Sequence, residues 1–386
     1  MKSSIAIIGG GPAALMLAAQ LNETKFDVTI YEGNSAVGRK FLVAGDGGFN
    51  LTHSEELEEF ISRYTPSDLF KNIISSFTNS DLRNWLKAIG IETFVGSSKR
   101  VFPLEGIKPI DVLNAILNEL KRKNVQIKTN HLWKGFEDQK IKADITIFAL
   151  GGSSWKVTGS DGAWAKHFSD KGIEIVPFQA SNCAYEVKWK DEFISQAEGK
   201  SLKNISIKCS TKEKKGELVI TKFGLEGGAI YALSPEIREC LNKEDIATVY
   251  LDLKPSFSLE QIREKLIGRG DRTIKELLVE RLNFNKTQIE LLKTILNKEE
   301  FIDLEVLAQK IKELPIVLSS AAPIDDAIST VGGVSLKEID ADFQLKKLPN
   351  LYCIGEMLDW DAPTGGYLLQ GCFSMGYYLA DHLNKK

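Results

Sequence analysis

The chain has 386 residues, 43% of them hydrophobic and 26% charged, with a formal net charge of −3. This length suggests two or three domains, and this balance argues against a surface built to hold nucleic acid or an anionic membrane by long-range attraction. The five cysteines, Cys183, Cys209, Cys240, Cys353 and Cys372, form no CxxC pair, and with only four histidines they disfavour a disulfide framework or a structural zinc site. A reducing cytoplasm is the expected location. The chain enters an apolar strand at once, leaving no room for a cleavable signal, and no apolar run is long enough to span a bilayer.

Ile5 to Ile8 is an apolar strand, followed by Gly9-Gly10-Gly11-Pro12-Ala13-Ala14 and a helical stretch. A second strand, Val28 to Tyr31, ends at Glu32. An acid about 20 residues beyond a strand–glycine–helix turn is the fingerprint of a dinucleotide site. Gly9 permits the tight turn, Gly11 leaves its backbone bare toward a pyrophosphate, and Ala14 stands where a third glycine usually lets helix and sheet pack. Pro12 and Ala13 open the helix, whose free N–H groups face the phosphates. Glu32, followed by Gly33, is placed to accept hydrogen bonds from an adenosine ribose, and an acid there favours FAD or NAD over NADP.

Alternating helices and strands continue to about residue 185: helical spacing over Asp81 to Ile89 and Asp111 to Lys121, a strand at Val125 to Ile127, and a strand at Ile145 to Leu150 that includes Ala149 and runs into Gly151-Gly152. This order indicates an α/β fold with a mostly parallel, Rossmann-like sheet. From Ser181 the period changes. Cys183, Tyr185, Val187 and Trp189 alternate, as do Ile205, Ile207 and Cys209, then Val249, Leu251 and Leu253, predicting antiparallel strands. Helical spacing follows, with capping boxes expected at Ser258/Gln261 and Thr287/Glu290. After Leu314 glycine punctuation returns, with a strand at Leu351 to Ile354 before Gly355-Glu356, and Gly365-Gly366 opening a last helix. The expected organisation is a discontinuous dinucleotide-binding domain, 1–186 with 326–386, interrupted by a β-rich insertion (187–256) and a helical one (257–325).

Gly38-Arg39-Lys40 to Asn50-Leu51-Thr52 is glycine-rich and aperiodic. It reads either as a mobile surface loop or as a backbone cradle for a polyanionic cofactor, with Gly45, Gly47, Gly48, Asn50 and Leu51 supplying backbone and Arg39 or Lys40 the charge. This segment resembles the BaiN-like or YhiN-like flavoproteins. So do Arg100-Val101-Phe102-Pro103, Ala149 to Trp155, Thr158 to Gly162, Gly332-Gly333-Val334, Gly355 to Asp359, and Pro363 to Leu369 containing Tyr367 and Leu368. The resemblance runs in order over nearly the full length. It implies noncovalent FAD held jointly by the N- and C-terminal segments. Most members carry arginine and cysteine where this chain has Gly48 and Phe49, so reactivity tied to that cysteine does not transfer.

Glu356 and Asp359 follow a strand, where a carboxylate reaches ribityl hydroxyls; solvated surface acids are the alternative. Gly365-Gly366 would aim a helix N-terminus at flavin N1 and O2, which become negative on reduction. Ala327 to Val334 resembles the Thr-x-Gly-Gly segment of fumarate reductase-type flavoproteins, with Ser329 where those carry histidine. Arg39 to Leu51 contains no histidine for covalent attachment. Trp155, Trp164, Trp360 and Tyr367 are expected mainly as core, and His53, His131, His167 and His382 are too scattered to nominate a base, leaving the catalytic residues unassigned. The expected activity is an FAD-dependent oxidoreductase acting on a small molecule by reducing a C=C or C=O group. NAD(P)H bound transiently over the flavin, or a redox partner protein, are the alternatives for the electron source. A flavin-dependent RNA-modifying enzyme and a non-catalytic flavin sensor are the competing readings.

Overall fold

The computed structural model describes residues 2–43, 48–138, 140–268 and 270–386. The chain divides into two compact units, Met1–Ala180 with Ile324–Lys386, and Ser181–Pro323. The expected β-rich and helical pieces both fall within the second of these units.

The discontinuous unit is built on a five-stranded parallel sheet. β1 (Ser3–Ile8) pairs with β2 (Phe26–Tyr31) on one side and Ile145–Phe148 on the other; Gln126–Lys128 and Leu351–Cys353 form the edges. Register sets Ile8 against Tyr31 and Phe148, and Cys353 against Phe148. Gly9, Glu32, Ala149 and Gly355 consequently leave the sheet along one carboxyl edge, where ligands bind in open parallel sheets.

Between the first two strands runs α1 (Pro12–Gln20), whose residues Ala13 to Ala19 are all buried. A helix apolar all round must be covered on every side, and its small alanines let the final helix, Tyr367–Lys385, lie close against it. The expected helices form as Asn79–Ala88, with Thr78 and Asp81 completing a capping box, and Pro109–Arg122. A small antiparallel sheet of β3 (Thr52–His53), β4 (Thr93–Val95) and β5 (Arg100–Pro103) belongs to the same unit, with His53 opposite Arg100 and Phe94 opposite Phe102.

The other unit carries a six-stranded antiparallel sheet and several helices. Ile205, Ile207, Cys209, Val249, Leu251 and Leu253 are buried, as their alternation requires. Within Cys183 to Trp189 the strand is confined to Tyr185–Glu186. Ser258 caps Leu259–Leu266 with Gln261 as expected. The Thr287/Glu290 box does not form. Its helix starts earlier, at Lys286, because Asn285 takes the extended N-cap conformation and exchanges hydrogen bonds with Gln288, which places Thr287 inside the first turn.

Candidate functional site

At the carboxyl edge of the parallel sheet lies a cavity of about 680 Å³, within the range of small-molecule and cofactor pockets. Its floor is the β1–α1 turn. Gly9 has φ +101°, and a Cβ there would sit 2.3 Å from the Ala149 carbonyl oxygen, so both backbone conformation and strand spacing demand glycine. Gly11 is different: a Cβ there meets nothing within 4 Å. It is the N-cap of α1, followed by Pro12 at the first helical position, and no side chain caps the helix. The turn thus presents bare backbone and the positive helix end to the cavity.

One wall is organised by Glu32. Its carboxylate accepts hydrogen bonds from the Gly10 N–H (2.9 Å), the Asn34 N–H (2.8 Å) and the Asn34 side-chain amide (2.9 Å). Asn34 in turn accepts from Arg39, whose guanidinium also donates to the Val157 carbonyl at 2.7 Å. At another wall Lys40 donates to Ser154 Oγ (2.8 Å) and to the Glu356 carboxylate (3.0 Å). Glu356 also accepts from the Thr330 N–H (3.3 Å). Cys372, on the final helix, lines the cavity with its thiol pushed up to about 12 by burial, so it is a neutral thiol and no nucleophile at neutral pH.

Gly9, Gly11, Pro12, Ala13, Glu32, Gly33, Arg39, Lys40, Ala149, Gly151, Gly355 and Glu356 line this cavity. Gly152 lies behind it, where a Cβ would meet Thr330 Oγ1 at 2.1 Å. Asp359 is not at the wall; it accepts from the Gly332 N–H (3.1 Å). Gly48 is exposed against Phe102, Asn50 is half-buried, and Leu51 is buried with its N–H on the Val101 carbonyl. Gly45 and Gly47 lie outside the described residues. The segment His131 to Lys134, Ser160, Asp161 and His167 also line the cavity. All but His167, which lies in the short helix Ala165–Asp170, come from irregular stretches, and only the glycines around Asp161 hint at a role. Trp164 reaches the wall with its indole N–H on the Gly151 carbonyl (3.0 Å), whereas Trp360 is core, bonded to the Gly355 carbonyl (2.9 Å). Trp155 has φ +64° and a buried indole nitrogen without a hydrogen-bond partner among the described residues.

Gly365, Gly366, Tyr367 and Leu368 form a second cluster, at the start of the final helix. Gly366 has φ +100°, and a Cβ there would stand 2.5 Å from the Thr52 backbone. Tyr367 donates its phenol proton to Glu55, and its carbonyl accepts from the Tyr64 hydroxyl (2.7 Å). Glu55 is 6% exposed and takes both arms of Arg63, at 3.0 and 2.8 Å. Burial raises the Glu55 carboxyl, but the bonds from Arg63 and Tyr367 outweigh it and hold the group below its usual range. Burial and the Glu55 bond push the Tyr367 phenol up, so it stays protonated. His53 stacks on Tyr367 (centroids 5.3 Å apart). Its Nδ1 faces the Glu55 N–H (3.3 Å) and its Nε2 the Ser98 carbonyl (3.2 Å), the pattern of a neutral Nε2–H ring; burial lowers its pKa in the same sense.

Residues 3–382 match the family described as HI0933-like protein Rossmann domain. The chain belongs to this family, and with it to the Rossmann-type FAD oxidoreductases. It is 26% identical over 400 residues to a 3-dehydro-bile acid delta(4,6)-reductase of Clostridium scindens, covering 97% of each chain. It is 23% identical over 402 residues to a ribosomal RNA dihydrouridine synthase of Haemophilus influenzae, covering 98% of each. Among solved structures, the 3-ketosteroid delta1-dehydrogenase of Sterolibacterium denitrificans matches over all of both chains with a TM-score of 0.50 and 11% identity, a likeness of fold. No helix among the described residues is long and apolar enough to cross a membrane.

The residues present fit FAD on a local test. The one glycine of the turn with open space before it, Gly11, faces the cavity, and an acid ends the second strand beside it.

Proposed function

We propose that the protein holds FAD noncovalently in the 680 Å³ cavity and reduces a carbon–carbon double bond conjugated to a carbonyl in a small molecule. The observation that carries this reading is Gly11, bare toward the cavity between the Glu32 wall and the helix end. The α1 turn would hold the pyrophosphate, Glu32 the adenosine ribose, and Lys40 with Glu356 the ribityl chain. Bound flavin supplies two-electron hydride chemistry. Burial keeps the Cys372 thiol at the cavity wall protonated, and the N-terminus of the final helix would stabilise negative charge developing beside it. Two relatives support the choice of reaction: a delta(4,6)-reductase and a dihydrouridine synthase are both named for adding hydrogen to carbon–carbon double bonds.

Acid precipitation of the purified protein should release FAD into the supernatant. Anaerobic mixing with NADH or NADPH should bleach the flavin, and a conjugated enone should reoxidise it. A flavin left reduced by every enone of a broad panel would overturn the reading.

The dihydrouridine synthase relatives favour a second substrate, a uracil ring in RNA. The net charge of −3 opposes it. RNA binding that collapses steeply between 50 and about 200 mM salt would decide for it.

A further inference from the structure

Beside the Gly365–Gly366 turn, the ionisable side chains clustered with Glu55 are engaged with one another or with backbone, with one exception. Arg63 has both arms on Glu55, Glu55 also takes the Tyr367 phenol, and both nitrogens of His53 are engaged. The exception is Arg100. Its backbone carbonyl accepts from the Gly96 N–H, yet its guanidinium has no hydrogen-bond or ion-pair partner among the described residues. It sits opposite His53 in the β3–β5 pair, and its Nε lies 3.5 Å from where a side chain on Gly365 would begin. This half-buried guanidinium presents five donors that a carbonyl oxygen or an anion can accept from.

The same strand face continues apolar. Phe102, two residues on, points to the same side as Arg100. It stacks on Phe94 across the pair with centroids 5.7 Å apart, and Phe94 is 44% exposed. A flat apolar body therefore has an aromatic surface beside a donor fork.

We propose that Arg100 is a catalytic residue that binds the substrate's conjugated carbonyl oxygen and stabilises it as an enolate, with Phe94 and Phe102 receiving the apolar body. This rests on the double-bond reduction proposed above. Addition of hydride, supplied by a two-electron-reduced flavin, to the β-carbon moves the double-bond electron pair onto the carbonyl oxygen beside Arg100. Protonation of the α-carbon from water then restores the carbonyl, so one hydride and one proton account for the two hydrogens added. Fixed donors aimed at the oxygen where charge develops are the general device for such steps.

The test uses the FAD-loaded protein and 4-nitrophenol, a flat phenol whose ionised form mimics the enolate and absorbs at longer wavelength. Wild-type protein should bind it preferentially as the phenolate, shifting its ionisation to lower pH. Arg100→Gln should weaken phenolate binding about 10-fold or more, the scale of a hydrogen bond to a charged group, and abolish the shift while retaining FAD. Arg100→Lys, which keeps the charge, should retain much of the shift and so separates charge loss from misfolding. Equal binding and ionisation in wild type and R100Q, or a wild-type protein that does not favour the phenolate, overturns the assignment. Failure of the underlying reading would show separately, as protein that takes up no FAD.

Discussion

Gly376 of the final helix lies so close to Ala13 of the first that a Cβ on it would stand 2.5 Å from the Ala13 carbonyl oxygen. The clash is with backbone, which cannot rotate away. Gly376→Val should therefore destabilise the protein by about 1–3 kcal/mol or more, the cost of overpacking. It should also displace the turn that begins α1. Thermal melting and the FAD dissociation constant should both worsen, although residue 376 is not at the cavity wall. A variant with wild-type melting and affinity would mean that the two helices separate freely.

Gly9 and Gly11 are two residues apart and should fail in opposite ways. Gly9→Ala puts a Cβ 2.3 Å from the Ala149 oxygen at φ +101°, and it should fold poorly with or without cofactor. Gly11→Val meets only open cavity, so the apoprotein should melt normally and yet retain no FAD. Yellow Gly11→Val protein at full stoichiometry would place the pyrophosphate elsewhere.

Glu32 both faces the cavity and ties down Gly10 and Asn34. Glu32→Ala should weaken FAD binding by about 1–3 kcal/mol, the scale of a charge-assisted bond. Calorimetric titration of the apoprotein with FAD measures it, and an unchanged constant would show that the carboxylate serves the loop alone.

The Glu55 and His53 environments make an acid-sensitive unit. Both pKa values are depressed in the folded protein, Glu55 from 4.5 and His53 from 6.5. The stability each contributes is therefore present above its unfolded value and lost as pH falls through its folded one. Melting temperature should begin to fall below about pH 6.5 as His53 is forced to charge, and again below about 4.5 as Glu55 takes a proton. Arg63→Gln leaves a buried carboxylate unpaired and should cost about 3–5 kcal/mol at neutral pH. A flat melting profile from pH 7 to 4 would contradict the cluster as described.

The β1–α1 turn was legible because all its parts lie within one stretch of chain: an apolar strand, glycines at fixed offsets, and an acid after the next strand. Ser258 with Gln261 was readable for the same reason. The Thr287 box is displaced because Asn285 offers an equally good cap two residues earlier and closes its own box with Gln288. His131 to Lys134 reach the cavity from an irregular segment and His167 from the short helix Ala165–Asp170, so no local pattern marks them. Arg39 and Lys40 are alternative phosphate partners by charge alone; that the Arg39 side chain bonds Asn34 and the Val157 carbonyl is something sequence order cannot supply. The Glu55–Tyr367 bond joins residues more than 300 positions apart. In sequence Glu55 looks like one more surface acid.

The pairing of α1 with the final helix also bears on the order of synthesis. α1 leaves the ribosome about 350 residues before the helix that covers it, an interval of roughly 20–70 s at ordinary elongation rates. Throughout that time the apolar face later met by Gly376 has no partner on the nascent chain. Asn384, which donates to the Gln20 carbonyl at the end of α1 and accepts from the Asn22 N–H just beyond it, arrives later still. Until the final helix arrives, that apolar face is transiently exposed surface of the kind that makes a nascent chain prone to misassembly.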